Sequence, residues 1–239
     1  MLTRKFFTPP PAEAKLLRRY RGWKLPRRNV QAFIHMTPQQ IQQAIRHLRR
    51  ADPVMRDVIQ RAGPFTLRLH HNRFRALVFS ILGQQISGKA ASAIRARLIE
   101  RLKPQQISAS SIASLSVADL RSVGVSFPKA RYLLDLAERV ANGSLKLERM
   151  GRLEDADVIE ALTQVKGIGV WTAQMFLIFS LGRLDVFPHD DLGVRVAIRN
   201  LYGLNELPNK EIGHKIAEPW RPYASIAAWY CWRSLEFKE

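Results

Sequence analysis

The 239-residue sequence predicts an all-α fold of about ten helices. Three observations carry this. Cap residues and helix stops recur at short intervals from Thr37 onward. Apolar residues fall three and four apart between them, and period-2 alternation is nowhere sustained. Neither an internal repeat nor a low-complexity block interrupts the pattern.

The elements follow in order. Thr37 caps a first helix with Pro38 at its opening position, and Ile41, Ile45 and Leu48 share one face. Asp52-Pro53 repeats that start, and Gly63 supplies the stop. A helix from about Asn72 carries Leu77, Val78 and Ile81; an alanine-rich one from about Ser87 carries Ile94, Leu98 and Leu102. Ser116 with Asp119 reads as a capping box, and Gly124 ends that short helix. Pro128 opens a helix through Leu133, Leu136 and Val140, closed by Gly143. Asp157 with Glu160 starts the next, running to Lys166. Further helices are expected at Val170–Leu181, Leu192–Tyr202, Asn209–Ala217 and Pro222–Phe237.

Residues 1–36 differ from the rest. Nine basic residues and one acid precede Asn29, and Pro9-Pro10-Pro11 forbids a continuous helix. The segment reads as a basic arm without the roughly 7–15-residue apolar core of a secretory signal. Across the chain, 38 Lys and Arg against 20 Asp and Glu leave a net charge of +18, which points to a polyanion or an anionic surface as partner. No apolar run approaches the roughly 18 residues of a membrane span. The single cysteine, Cys231, excludes an internal disulfide, a four-cysteine iron–sulfur cluster and a cysteine-based zinc site. An intracellular protein is expected.

The most informative stretch is Leu162–Gly193. Two helical patterns flank Lys166-Gly167-Ile168-Gly169, so the amides opening the second helix face whatever approaches the turn, as phosphate oxygens favour. Taken alone, the turn equally describes a tight αα-hairpin. Eighteen positions beyond Val170 comes Pro188-His189-Asp190-Asp191-Leu192-Gly193, with two acids at the start of an apolar-periodic helix. An ordinary N-cap accounts for one of them.

Gly167-Ile168-Gly169 with Trp171-Thr172-Ala173, then Asp185-Val186-Phe187-Pro188 and an acid before Leu-Gly, closely resembles the helix–hairpin–helix DNA glycosylase superfamily, 3-methyladenine DNA glycosylase II branch. Ile81-Leu82-Gly83-Gln84-Gln85-Ile86-Ser87 is similar to the loop that enters DNA in this branch, and Glu218–Ala224 with Trp229-Tyr230 to its closing helix. The similarity spans about residues 37–237, in the compact form without an N-terminal β-domain. It implies two helical lobes with the cleft between them: 37–71 plus 188–239 in one, and 72–187, carrying the helix–hairpin–helix of about 157–181, in the other.

The resemblance implies a monofunctional enzyme of base excision repair that hydrolyses N-alkylated purines from double-stranded DNA as a monomer. A glycosylase for ethenoadenine, hypoxanthine or uracil and a non-catalytic DNA-binding protein are the alternatives. Asp191 is the implied catalytic carboxylate, with Asp190 its neighbouring rival. It would stabilise an oxocarbenium-like sugar and orient the attacking water. Trp171 stands where the lyases of the superfamily place a nucleophilic lysine, so no Schiff base is implied. Trp171, Met175 and Trp229 would line the base pocket, where an aromatic face attracts a cationic purine; core packing is the other reading of each Trp. Gln85 would fill the gap left by the flipped nucleotide. Gln84, Lys89, Lys166, Gly167, Ile168 and Gly169 would contact DNA, although Gly83–Ser87 also reads as a polar turn. No cofactor and no iron–sulfur cluster are implied. A structural Na+, K+ or divalent cation is implied on the carbonyls of Thr163, Val165 and Ile168.

Overall fold

The computed structural model describes residues 36–237, so the basic arm lies almost entirely outside the described residues. Those residues form twelve α-helices and two 3-10 turns, with no strand among them. In chain order the helices are α1 (Pro38–Ala51), α2 (Pro53–Ala62), α3 (Arg73–Gly83), α4 (Gly88–Leu102), α5 (Ala109–Ala113), α6 (Val117–Ser122), α7 (Phe127–Ala141), α8 (Asp155–Thr163), α9 (Val170–Phe179), α10 (Leu192–Leu201), α11 (Lys210–Ala217) and α12 (Ala224–Ser234). The 3-10 turns are Leu147–Arg152 and Glu218–Trp220.

Capping chemistry sets most of the starts. The Thr37 hydroxyl accepts from the Gln40 amide, whose side chain returns to the Thr37 amide, and Pro38 needs no partner at the first position. Ser116 and Asp119 form the same reciprocal pair ahead of α6. Helix α5 escapes the periodicity because it has only five residues, yet Ser108 and Ser111 form a capping box there too.

Two expected boundaries shift. Helix α8 starts at Asp155, two residues early, and ends at Thr163, whose hydroxyl turns back to the Ile159 carbonyl at 2.9 Å. Helix α12 starts at Ala224 rather than Pro222, because the preceding interhelical segment satisfies its first amides. Ala224 donates to Asp185 Oδ1 at 3.3 Å and Ser225 to the Leu184 carbonyl at 3.0 Å.

The helices enclose two apolar cores. One draws on α3 to α9, from Phe74 through Leu133 and Leu162 to Leu177. The other draws on α1, α2 and α10 to α12, from Leu48 and Met55 to Ile198, Trp220 and Tyr230. Burial of this kind stabilises by roughly 1.5–3 kcal/mol per large side chain. Leu67 and Trp232 pack against both cores and so mark the junction. The segment from Leu184 to Asp191 crosses it. Arg221 pairs with Asp185 at 2.9 Å, and the fully buried Ser225 hydroxyl accepts from the Val186 amide at 2.9 Å. The stretch that delivers Asp191 is thereby fastened to the start of α12.

Candidate active site

The hairpin turn is built around Gly167. Its φ is +80°, and a Cβ there would stand 2.2 Å from the Tyr132 ring, so both backbone and space demand glycine. Asp135 on α7 accepts from the Lys166 amide at 2.9 Å, and the Ile168 amide donates to the Val165 carbonyl at 3.1 Å. Ile168 is buried, so it anchors the turn from below instead of reaching outward. Gly169 caps α9 without a side-chain hydrogen bond. The amides of Gly167, Gly169 and Val170 donate to nothing among the described residues. A helix start left open in this way suits an anionic oxygen. The Thr163, Val165 and Ile168 carbonyls lie in the same turn, with Val165 already accepting one amide.

The loop between α3 and α4 leans on this turn. Gln84 donates through Nε2 to the Gly167 carbonyl at 2.9 Å, so it ties the loop to the hairpin instead of pointing outward. The Lys129 ammonium holds the Leu82 and Gln84 carbonyls at 3.0 and 2.6 Å, and burial pulls its pKa down. Gln85 then projects into solvent at φ +55°, a left-handed conformation rare for a side chain of its kind. Lys89, on the first turn of α4, and Lys166, beside Gly167 in the hairpin turn, are both exposed.

Asp191 is the N-cap of α10 and only 8% exposed. Its Oδ1 accepts from the Val194 amide at 2.9 Å and from Trp232 Nε1 at 2.8 Å; its Oδ2 accepts from Trp171 Nε1 at 2.8 Å. Two indoles from different helices thus hold one carboxylate. Asp190 behaves differently. Its side chain is 64% exposed and its Oδ2 lies 3.1 Å from Nε2 of the buried His189. Burial lowers the His189 pKa against the pull of Asp190.

Gly193 explains how Trp232 gets so close. A Cβ at that position would meet Trp232 Cδ1 at 3.0 Å, Asp191 Oδ1 at 3.1 Å and Trp232 Nε1 at 3.2 Å. Trp232 also stacks on Phe179, with ring centroids 5.5 Å apart.

The expectation for Trp229 requires correction. It is 8% exposed and packs into the second core, 4.7 Å from the Phe65 ring and 4.9 Å from that of Tyr230. The residue that reaches the carboxylate is Trp232, one helical turn later. Trp171 is 40% exposed, so its ring remains open to a ligand while its N–H is engaged. Met175, one turn along α9, lines an open groove of about 530 Å³ that also takes in Thr172, Phe79 and Phe179. Arg95 lines that groove as well.

Comparison with known proteins fits this geometry. The family model described as HhH-GPD superfamily base excision DNA repair protein matches residues 78–222. DNA-3-methyladenine glycosylase 1 of Schizosaccharomyces pombe is 37% identical over 168 residues, covering 70% of this chain and 74% of that protein. The putative DNA-3-methyladenine glycosylase YfjP of Bacillus subtilis is 32% identical over 176 residues, 71% of this chain, which spans only 61% of that relative's length. Among solved structures, the S. pombe 3-methyladenine DNA glycosylase Mag1 in complex with abasic DNA gives a TM-score of 0.73 at 32% identity, covering 82% of this chain and 97% of its own. The Bacillus halodurans DNA-3-methyladenine glycosidase gives 0.73 at 36%, covering 81% and 89%. With more than half of the sequence matched by the family and a helical scaffold shared over 82% of the chain, the chain belongs to the HhH-GPD superfamily of base excision DNA repair proteins.

Proposed function

We propose that the chain is a monofunctional DNA glycosylase that flips N-alkylated purines of the 3-methyladenine and 7-methylguanine type from double-stranded DNA and removes them by hydrolysis. The observation that carries the reading is the Asp191 carboxylate, clamped by Trp171 and Trp232 where the two cores meet. Breaking the glycosidic bond leaves positive charge on the sugar, and a fixed anion beside it lowers that barrier without reorganising. The same carboxylate orients the attacking water and takes its proton.

The open amides at Gly167, Gly169 and Val170 receive a backbone phosphate, and the surplus of cationic side chains supplies the remaining attraction to DNA. Gln85 enters the duplex where the nucleotide leaves, at the end of a loop that Gln84 and Lys129 hold against the hairpin. The Thr163, Val165 and Ile168 carbonyls form a neutral oxygen set suited to a hard cation, which would add positive charge at the turn. An N-alkylated purine already carries positive charge, so the exposed Trp171 face attracts it and no acid is required to expel it. The enzyme acts as a monomer, inside the cell and on the genome.

The test is single-turnover incubation with alkylated duplex. The reading requires free 3-methyladenine or 7-methylguanine and an intact abasic strand, with no covalent adduct under borohydride. Strand cleavage with a trapped adduct would contradict the monofunctional mechanism, and absence of any released base would contradict the glycosylase reading itself.

A further inference from the structure

The turn that delivers Asp191 rests on a pair of histidines that the proposed chemistry does not use. His189 is buried two residues before the carboxylate. Its amide donates to the Phe187 carbonyl at 3.0 Å, and the Asp191 amide donates to the Pro188 carbonyl at 2.9 Å, so residues 187–191 form one tight turn. The Phe187 carbonyl also accepts from Gln174 Nε2 on α9 at 3.4 Å. The His189 ring packs against that of His214 on α11, with centroids 5.2 Å apart. His214 in turn stands nearly perpendicular to the Phe187 ring, also at 5.2 Å. The ring of His189 thus seats the turn on α11. If it moves, the Asp191 oxygens move away from the indole N–H groups of Trp171 and Trp232, each 2.8 Å distant.

Charge decides which form of the pair fits there. Burial disfavours an imidazolium at either position, and it is the first cause that lowers the pKa of both histidines. Lys210 on α11 repels a proton on either ring, while Arg221 and a charged His189 repel one on His214. Asp190 draws a proton to His189, and Glu218 draws one to His214, but both acids are exposed. The Asp191 oxygens are engaged by Val194, Trp171 and Trp232. Resting on the glycosylase reading above, we infer that His189 is a positioning residue whose neutral ring, seated on His214, holds Asp191 in register with the two indoles. A proton entering the pair pushes His189 away from Lys210 and toward Asp190 and water, and the turn loses its seat. Because the fold favours the neutral pair, the register is held at neutral pH and is lost as pH falls below the ordinary imidazole range. Duplex binding does not follow, since added positive charge strengthens attraction to phosphates. The loss therefore falls on the rate of excision and spares affinity.

The experiment follows single-turnover release of 7-methylguanine from one duplex, above the enzyme-free rate, between about pH 8 and about pH 5, the span over which a histidine changes charge. Duplex affinity is titrated at each pH. The full chain is used as wild type, His189→Gln and the His189→Gln/His214→Gln double variant, each scaled to its own rate at the alkaline end. Glutamine places an amide where Nε2 stood and can still donate to Asp190, but it takes up no proton. The wild-type rate should fall about tenfold or more toward the acid end, while affinity holds or rises. In His189→Gln that fall should shrink to about threefold or less, and in the double variant it should be no larger. Duplex affinity reports that each variant is folded, and His189→Gln decides the matter if the double variant is not. A His189→Gln variant that keeps the full wild-type fall overturns the inference, because the titrating group then lies elsewhere. So does a wild-type rate that is flat across the range, or one that falls in step with affinity. A wild type that releases no base at any pH overturns the glycosylase reading instead.

Discussion

Asp52 and Asp191 are chemical twins in different settings. Both are buried N-caps whose two oxygens are held by helix amides and indole N–H groups. Asp52 takes the Val54 and Met55 amides on Oδ1 at 2.9 and 3.2 Å, and Trp220 Nε1 on Oδ2 at 2.8 Å together with the Tyr202 hydroxyl. Burial, reinforced by Asp52, pushes the Tyr202 pKa up, so the phenol stays a donor. Asp191 takes Val194, Trp232 and Trp171 in the same manner. The two carboxylates are 6% and 8% exposed, so burial does not separate them. Their donors do. Trp220 is fully enclosed, whereas Trp171 is 40% exposed and Leu192, next to Asp191, is 62% exposed. One carboxylate is sealed within a core and organises it. The other is held as firmly, but at the junction of two cores with an open aromatic face beside it. A buried, well-bonded acid marks a site only where its partners still meet solvent.

This contrast can be broken most forcefully at Asp52. Asp52→Ala removes a helix cap, about 1 kcal/mol, and strands a buried indole N–H and a buried hydroxyl, about 1–3 kcal/mol each. Urea unfolding should therefore show a loss of roughly 4 kcal/mol, with excision per folded molecule unchanged. A variant of normal stability would end the comparison. Gly167→Ala should come next. The positive φ and the Tyr132 ring together displace the hairpin, so duplex affinity should drop about tenfold or more by titration at fixed salt. Unchanged affinity would remove the turn from the DNA interface.

Trp232→Phe sharpens the contrast from the other side. It keeps the stack on Phe179 but deletes one hydrogen bond to a charged acceptor, worth about 1.5–3 kcal/mol. Excision should slow about tenfold while abasic-DNA affinity holds. Gly193→Ala acts on the same bond, so the double variant should be no slower than the worse single one. Additive losses would show that the two residues act separately. The smallest effect belongs to Gln85→Ala, which should weaken abasic-duplex binding a few-fold and undamaged duplex less. Equal losses would reduce Gln85 to a general contact.

Much of the scaffold was legible because helix starts carry local chemistry. Thr37, Asp52, Asn72, Ser87 and Asn209 all cap helices with their own side chains, as their positions before apolar stripes imply. Helix α12 was placed two residues early because its start is fixed by Asp185 and Leu184, some forty positions upstream. The same limit applies at the site. Gly167 and Asp191 stand in recognisable patterns, but only packing turns Trp229 against Phe65 and brings Trp232 to the carboxylate. A signal for the second did exist in Gly193. Glycine in the first turn of a helix costs stability relative to alanine, so its presence beside an acid implies that another group comes close. Gln84 could not be read in this way, since its partner Gly167 lies on a different hairpin.

The central claim is that Asp191, not Asp190, is the anion that stabilises the developing sugar cation, and it is tested most directly by single-turnover excision of 3-methyladenine with the two asparagine variants. Asp191→Asn keeps the size of the side chain and removes its charge, so excision should fall by about three orders of magnitude while duplex affinity holds or rises. Asp190→Asn, which alters only an exposed contact with His189, should excise at close to the wild-type rate. A dead Asp190→Asn beside an active Asp191→Asn, or two fully active variants, would contradict the account.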